Sequence, residues 1–138
     1  MQFGQALCLA KDHALHYIFV PHTLLLLFDI HLEFVSPDFV LEEIYKYENY
    51  ICVKSGLAKE EFELLLALVF ERISIIPFSE YSACNDAAAA IMVNDPKDMP
   101  YVACFLALKC DGIWTNDPDY DGKEGVKVIN TGDLLALL

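Results

Sequence analysis

Met99-Pro100-Tyr101-Val102-Ala103-Cys104-Phe105-Leu106-Ala107-Leu108 has no polar side, and a helix that is apolar all round belongs inside a layered domain rather than on its surface. On its carboxyl side follow Gly112-Ile113-Trp114-Thr115, read as a strand, a polar loop from Asn116 to Gly125, a second strand Val126 to Ile129 and a short closing helix from Thr131. On its amino side stand the turn Asn94-Asp95-Pro96 and a helix over Ala83 to Val93. Before these, Ile73-Ser74-Ile75-Ile76 is a β-branched run ahead of Pro77, most simply a buried strand. Strands alternating with helices predict a parallel sheet covered on both faces, with any site at the carboxyl ends of the strands.

Farther out, Lys59 to Glu71 is an amphipathic helix whose core stripe is Phe62, Leu65, Leu66, Val69 and Phe70. Ser36-Pro37-Asp38 supplies an N-cap, a proline at the first helical position and an early acid. A helix is therefore predicted from there to the break at Ser55-Gly56, after a brief strand at Glu33-Phe34-Val35. Ala6 to Ala10 reads as a first strand and His13 to Phe28 as a helix. The 138 residues carry no linker, repeat or low-complexity tract, so one domain is expected over residues 1–138.

Composition narrows the classes of function. Twenty-one acidic and nine basic residues give a net charge of -12, and Arg72 is the sole arginine. Strong sequence-independent binding to nucleic acid draws on many Lys and Arg, which this chain lacks. Clustered carboxylates that recruit divalent cations would reverse the field a phosphate meets. The five cysteines are odd in number and show no CxxC spacing, so buried thiols are expected rather than disulfides or a zinc knuckle. No apolar stretch suffices to span a bilayer, and a cytoplasmic protein without membrane contact is expected. His13, His16, His22 and His31 lack zinc-site spacing, and no Walker loop, GxGxxG or GxSxG motif occurs.

The acids offer more. On a helical wheel from Phe39, the residues Val40, Ile44 and Tyr47 share the apolar side; Glu43 sits at its margin and Glu42 on the polar side. Glu43 thus points inward or into a cleft, or else lies at the surface with its stem covering apolar area. Asp98 opens the apolar helix, where a carboxylate caps free amides but also places charge at the edge of the core. Asp95 precedes Pro96 and is explained as a turn residue. Asp117, Asp119 and Asp121 follow the strand at Ile113 to Thr115, and three acids so close repel one another unless solvated or metal-bound.

Three segments in order, Val35-Ser36-Pro37-Asp38-Phe39-Val40-Leu41-Glu42-Glu43-Ile44, then Asp95-Pro96-Lys97-Asp98-Met99-Pro100-Tyr101-Val102-Ala103, then Ile113-Trp114-Thr115-Asn116-Asp117-Pro118-Asp119-Tyr120, resemble a PIN domain of the short stand-alone archaeal kind, related to toxin-antitoxin ribonucleases. The likeness runs from about Leu25 to the C-terminus. It implies a three-layer α/β/α sandwich with a mainly parallel, Rossmann-like sheet and an Mg2+- or Mn2+-dependent endoribonuclease leaving a 3'-hydroxyl and a 5'-phosphate. It also implies a homodimer, with RNA as substrate and an antitoxin protein as a possible partner. Carried over residue by residue, it makes Glu43, Asp98 and Asp117 catalytic metal ligands and Asp119 an accessory ligand, with Thr115 and Asn116 in support. PIN domains end their first strand in an aspartate followed two residues later by Asn or Ser. The candidate here is Asp12, with Ala14 at the second position and a short spacing to Glu43. Asp12 is assigned as a further ligand, and the departure keeps open a second reading, a catalytically degenerate PIN-like module that binds protein or RNA. A haloacid-dehalogenase-like phosphatase fits less well, because its acid pair follows the first strand, whereas Asp117-Pro118-Asp119 falls near the end.

Overall fold

A computed structural model describes residues 5–9, 25–29, 32–115 and 117–136. Among the described residues, five strands form one all-parallel sheet in the order β3-β2-β1-β4-β5. These are β1 (Gln5–Leu9), β2 (Leu32–Pro37), β3 (Ile73–Ile76), β4 (Gly112–Trp114) and β5 (Val128–Ile129). The helices after β2, among the described residues, are α1 (Phe39–Lys46), α2 (Glu48–Ser55), α3 (Lys59–Arg72), α4 (Phe78–Tyr81), α5 (Asn85–Ile91), α6 (Met99–Ala107) and α7 (Thr131–Leu135), giving the expected α/β/α sandwich. The chain winds outward from β1 through β2 to β3, then returns to the other side of β1 for β4 and β5. That reversal falls between β1 and β4, where Leu9 pairs with Trp114, and open parallel sheets offer a crevice at such a switch point.

The apolar run behaves as its composition demands. Tyr101, Val102, Ala103, Cys104 and Phe105 of α6 are all buried, and the helix lies on β1, β2 and β4. It ends in a Schellman pattern: the Cys110 N–H donates to the Phe105 carbonyl (3.1 Å) and that of Lys109 to Leu106 (3.3 Å). Lys109 adopts the left-handed conformation (φ 52) in which glycine is usual. Gly112 is required for a different reason. A Cβ there would stand 2.6 Å from Ile129 Cδ1, so glycine lets β5 close on β4.

Two boundaries differ from expectation. Helix α1 starts after Asp38, not at Pro37, because Ser36 and Pro37 continue β2 and pair with Ile75 and Ile76. The Asp38 N–H donates to the Ile76 carbonyl (2.9 Å), so strand alternation turns the Pro37 nitrogen toward β1, whose pairing with β2 ends at Cys8 and Val35. A proline costs no ladder bond there. The predicted long helix also breaks early, at Tyr47 (φ -105, ψ 15), and Gly56 (φ 70) then ends α2. Smaller differences are trims: the predicted helix over Ala83 to Val93 contracts to α5 behind a 3-10 turn at Ser82–Cys84. Of the predicted helix over His13 to Phe28, residues 25–27 are helical and 13–24 lie outside the described residues, as do the four histidines.

Phe62, Leu66 and Val69 of the α3 stripe are buried, with Leu65 and Phe70 half-buried. All five cysteines are free thiols, and Cys8, Cys104 and Cys110 are buried. Burial pushes the Cys8 thiol well above its ordinary value, with Cys104 adding to the effect, and pushes Cys110 up to about 12. Among the described residues, no helix is long and apolar enough to cross a membrane.

Candidate metal centre

The acids of interest come from three places along the carboxyl edge of the sheet: α1 after β2, the turn leading into α6, and the loop after β4. Pro96–Asp98 forms a 3-10 turn, closed by the Asp98 N–H on the Asp95 carbonyl (3.1 Å). With three residues per turn, positions three apart eclipse, so Asp95 and Asp98 share one face. Asp98 is buried (5% exposed) at the head of α6.

The loop after β4 is built by its own polar groups. Thr115 is fully buried, and its Oγ1 accepts the Asp117 N–H (3.0 Å). Asp117 Oδ1 in turn accepts the Asp119 N–H (2.9 Å), capping the 3-10 turn Pro118–Tyr120. Tyr120, fully buried, anchors the far end of the turn in the core. Asp119 is thereby turned toward the acids before α6. Asp95, Asp98 and Asp119 each offer an oxygen, and these oxygens lie within 4.8 Å of one another. Asp117, then Asp95, push the Asp119 carboxyl above its ordinary value, with Lys123 opposing them. The repulsion comes from the acids on either side of Asp119, its cap Asp117 and the facing Asp95. An all-carboxylate set of hard oxygens, one member nearly dry, suits Mg2+, Mn2+ or Ca2+ and not a thiolate-seeking metal.

Glu43 approaches from the other wall. It is buried (6% exposed) whereas Glu42 is exposed, and the Tyr101 hydroxyl donates toward Glu43 Oε1 at 3.5 Å. Tyr101 lies in the first turn of α6, so Glu43 and Asp98 converge on the same helix start. The structure thus brings Asp98 and Asp119 together, places Glu43 beside the first turn of α6, and gives Asp117 a place as the cap that aims Asp119. Asp12 and Asn116 lie outside the described residues. Asp121 is exposed at the far end of the turn.

Asp95 is the member that sequence reasoning missed, since Asn94-Asp95-Pro96 explained it as a turn. The three-residue step from Asp95 to Asp98 across Pro96 was the available signal, once the turn is read as 3-10 rather than as the end of a loop. Arg72 does not serve phosphate recognition in this arrangement. Its Nε donates to the Leu27 carbonyl (2.6 Å) and its Nη2 to those of Asp29 (3.2 Å) and Leu32 (3.4 Å), tying the segment before β2 to α3.

A search of curated proteins finds no match to the chain. A family model described as PIN domain matches residues 18–138. The match covers β2 through α7 and leaves out β1, the central strand of the sheet. With the parallel sandwich and the carboxylates at its switch-point edge already in view, the chain belongs to the PIN domain family, whose members are generally metal-dependent nucleases.

Proposed function

We propose that this protein is an Mg2+- or Mn2+-dependent endoribonuclease that hydrolyses phosphodiester bonds of RNA in the cytoplasm. The observation that carries the reading is the meeting of Asp95, Asp98 and Asp119 at the edge where the family places its acids. In this reading Asp98 and Asp119 hold the cation with Asp95, and Glu43 completes the opposite wall, its carboxylate oriented by the Tyr101 hydroxyl. Asp117 is proposed as a further ligand of the same cation, and its Oδ1 also fixes the Asp119 backbone while its charge lies beside that residue. Asp12, three residues beyond β1 in sequence, is proposed as the further ligand. A bound divalent cation supplies positive charge to the scissile phosphate and Lewis-acid activation of water. The protein's own share is to hold the carboxylates converging on a rigid helix start, so that they need not reorganise when charge develops. The same proposal includes assembly as a homodimer and an antitoxin protein as possible partner.

The test is cleavage of single-stranded RNA by purified protein with Mn2+. Wild type should cut, and Asp98→Asn and Glu43→Gln should not; equal cleavage by all three would sink the assignment.

Two observations favour a second reading. The family match begins at residue 18, past Asp12, and the chain is poor in cations, as expected of a degenerate module that binds protein or RNA without cutting. Calorimetric titration with Mn2+ separates the two, because tight binding abolished by Asp117→Asn counts against a degenerate site.

A further inference from the structure

Beside the acids, on the β2 and β3 side of the same edge, lies a cleft of about 350 Å³, near the small end of the range for ligand pockets. Its floor and walls come from the start of α1, from α4, from the head of α5, and from Met99 and Pro100 directly after Asp98. Glu42, on its rim, is the neighbour of Glu43 in the chain. A ligand seated here therefore lies next to the acids at two points along the backbone. Resting on the nuclease reading, we propose that this cleft is the base subsite for the RNA strand being cut, and that it accepts guanine.

Three features select a base over other parts of the strand. Phe78 is 55% exposed, yet its ring is fixed edge-to-face against the buried Tyr81 (centroids 5.5 Å apart, 84° between planes). An exposed, pre-oriented aromatic ring is a stacking platform for a nucleobase and loses little freedom on binding. Phe39, half-buried and packed edge-on to Tyr101, adds apolar wall with Met99 and Pro100. Charge excludes the alternative, because the rim carries Asp38 and Glu42 and no lining residue is basic. Such a cleft repels phosphate and suits a neutral ring with hydrogen-bond donors.

The choice of base follows from the donors. Asp38 is already engaged, accepting the Tyr81 hydroxyl (2.6 Å) and the Phe78 N–H (3.0 Å). Glu42 is exposed, and its carboxylate accepts two hydrogen bonds side by side. Guanine presents two adjacent N–H donors, N1 and N2, on its Watson–Crick edge. Adenine and cytosine each set one amino donor beside a ring nitrogen acceptor that a carboxylate repels, and uracil sets its one N–H between two carbonyls. Asn85 adds unused capacity on the wall, since its Oδ1 is buried without a hydrogen-bond partner among the described residues.

The experiment uses oligouridylate nonamers carrying one guanosine, adenosine or inosine, with the full chain and Mn2+, reading product positions, KM and kcat, and in parallel binding by fluorescence anisotropy in EDTA. Cleavage should fall at a fixed offset from guanosine and prefer it over adenosine by about tenfold, with inosine, which lacks the 2-amino group, in between. Phe78→Ala should raise KM about tenfold with kcat little changed, and Phe78→Tyr should restore it. Glu42→Gln should remove the guanosine preference while leaving the melting temperature unchanged. Cleavage that depends on Asp98 but ignores guanosine, with KM unchanged in Phe78→Ala, overturns the subsite and leaves the nuclease reading intact. Guanosine-dependent binding that Phe78→Ala abolishes, in a protein that cuts nothing, upholds the subsite and removes the nuclease. Absence of binding to every oligomer overturns the subsite and leaves the cleft to a cationic peptide.

Discussion

Two ends of one sheet edge treat the same residue type in opposite ways. On the β2 and β3 side, Asp38 has a donor for each carboxylate oxygen: Tyr81 donates to one and the Phe78 backbone to the other. It joins two strand-to-helix turns and caps α4, and with burial it pushes the Tyr81 phenol above its ordinary value. On the β4 side, Asp95, Asp98 and Asp119 face one another, and Asp117 and then Asp95 push the Asp119 carboxyl above its ordinary value. Carboxylates that are given protein donors act as structure. Carboxylates that converge on one another offer a site for a cation.

Substitutions at the two ends should therefore part along different axes. The largest effect is expected at Asp98, where replacement by Asn should lower Mn2+ affinity and cleavage by on the order of 100-fold or more, read by calorimetry and single-turnover assays. Asp38→Ala should do the reverse, costing about 2–3 kcal/mol in urea unfolding through loss of a cap and of a charge-assisted hydrogen bond, while Mn2+ affinity stays within about twofold of wild type. A loss of Mn2+ binding in Asp38→Ala would erase the distinction between the two ends.

Tyr81→Phe isolates one of the Asp38 bonds and should cost about 1–2 kcal/mol, less than Asp38→Ala, with the Mn2+ isotherm unchanged. The smallest stability effect is expected for Asp119→Asn in the absence of metal. It relieves the repulsion from Asp117 and Asp95 at an exposed position, so the melting temperature should rise slightly or stay level, and adding Mn2+ should raise it less than in wild type. A metal-free protein destabilised by Asp119→Asn would mean that the Asp119 carboxylate bonds within the protein as Asp38 does.

The local part of this picture was readable along the chain. Helical periodicity separated Glu43 from Glu42, and the structure buries the first and exposes the second. An all-apolar run announced α6, and an acid at its head marked Asp98. The order of strands and helices gave the parallel sandwich. The two helical inferences use residues within one or two turns of each other, where side-chain direction follows from backbone geometry alone.

Other features depended on partners far away in the chain. Asp38 looks like an early helix acid until α4, some forty residues on, supplies its donors. Ser36 and Pro37 look like a helix start until β3 pairs with them. Asp95 looks like a turn residue until the loop after β4 brings Asp119 against it. Sequence by itself determined the element order and the inward acids, because those follow from local periodicity. The tertiary structure decided which acids meet donors and which meet one another, because a carboxylate's role is set by whatever the fold brings within hydrogen-bonding distance.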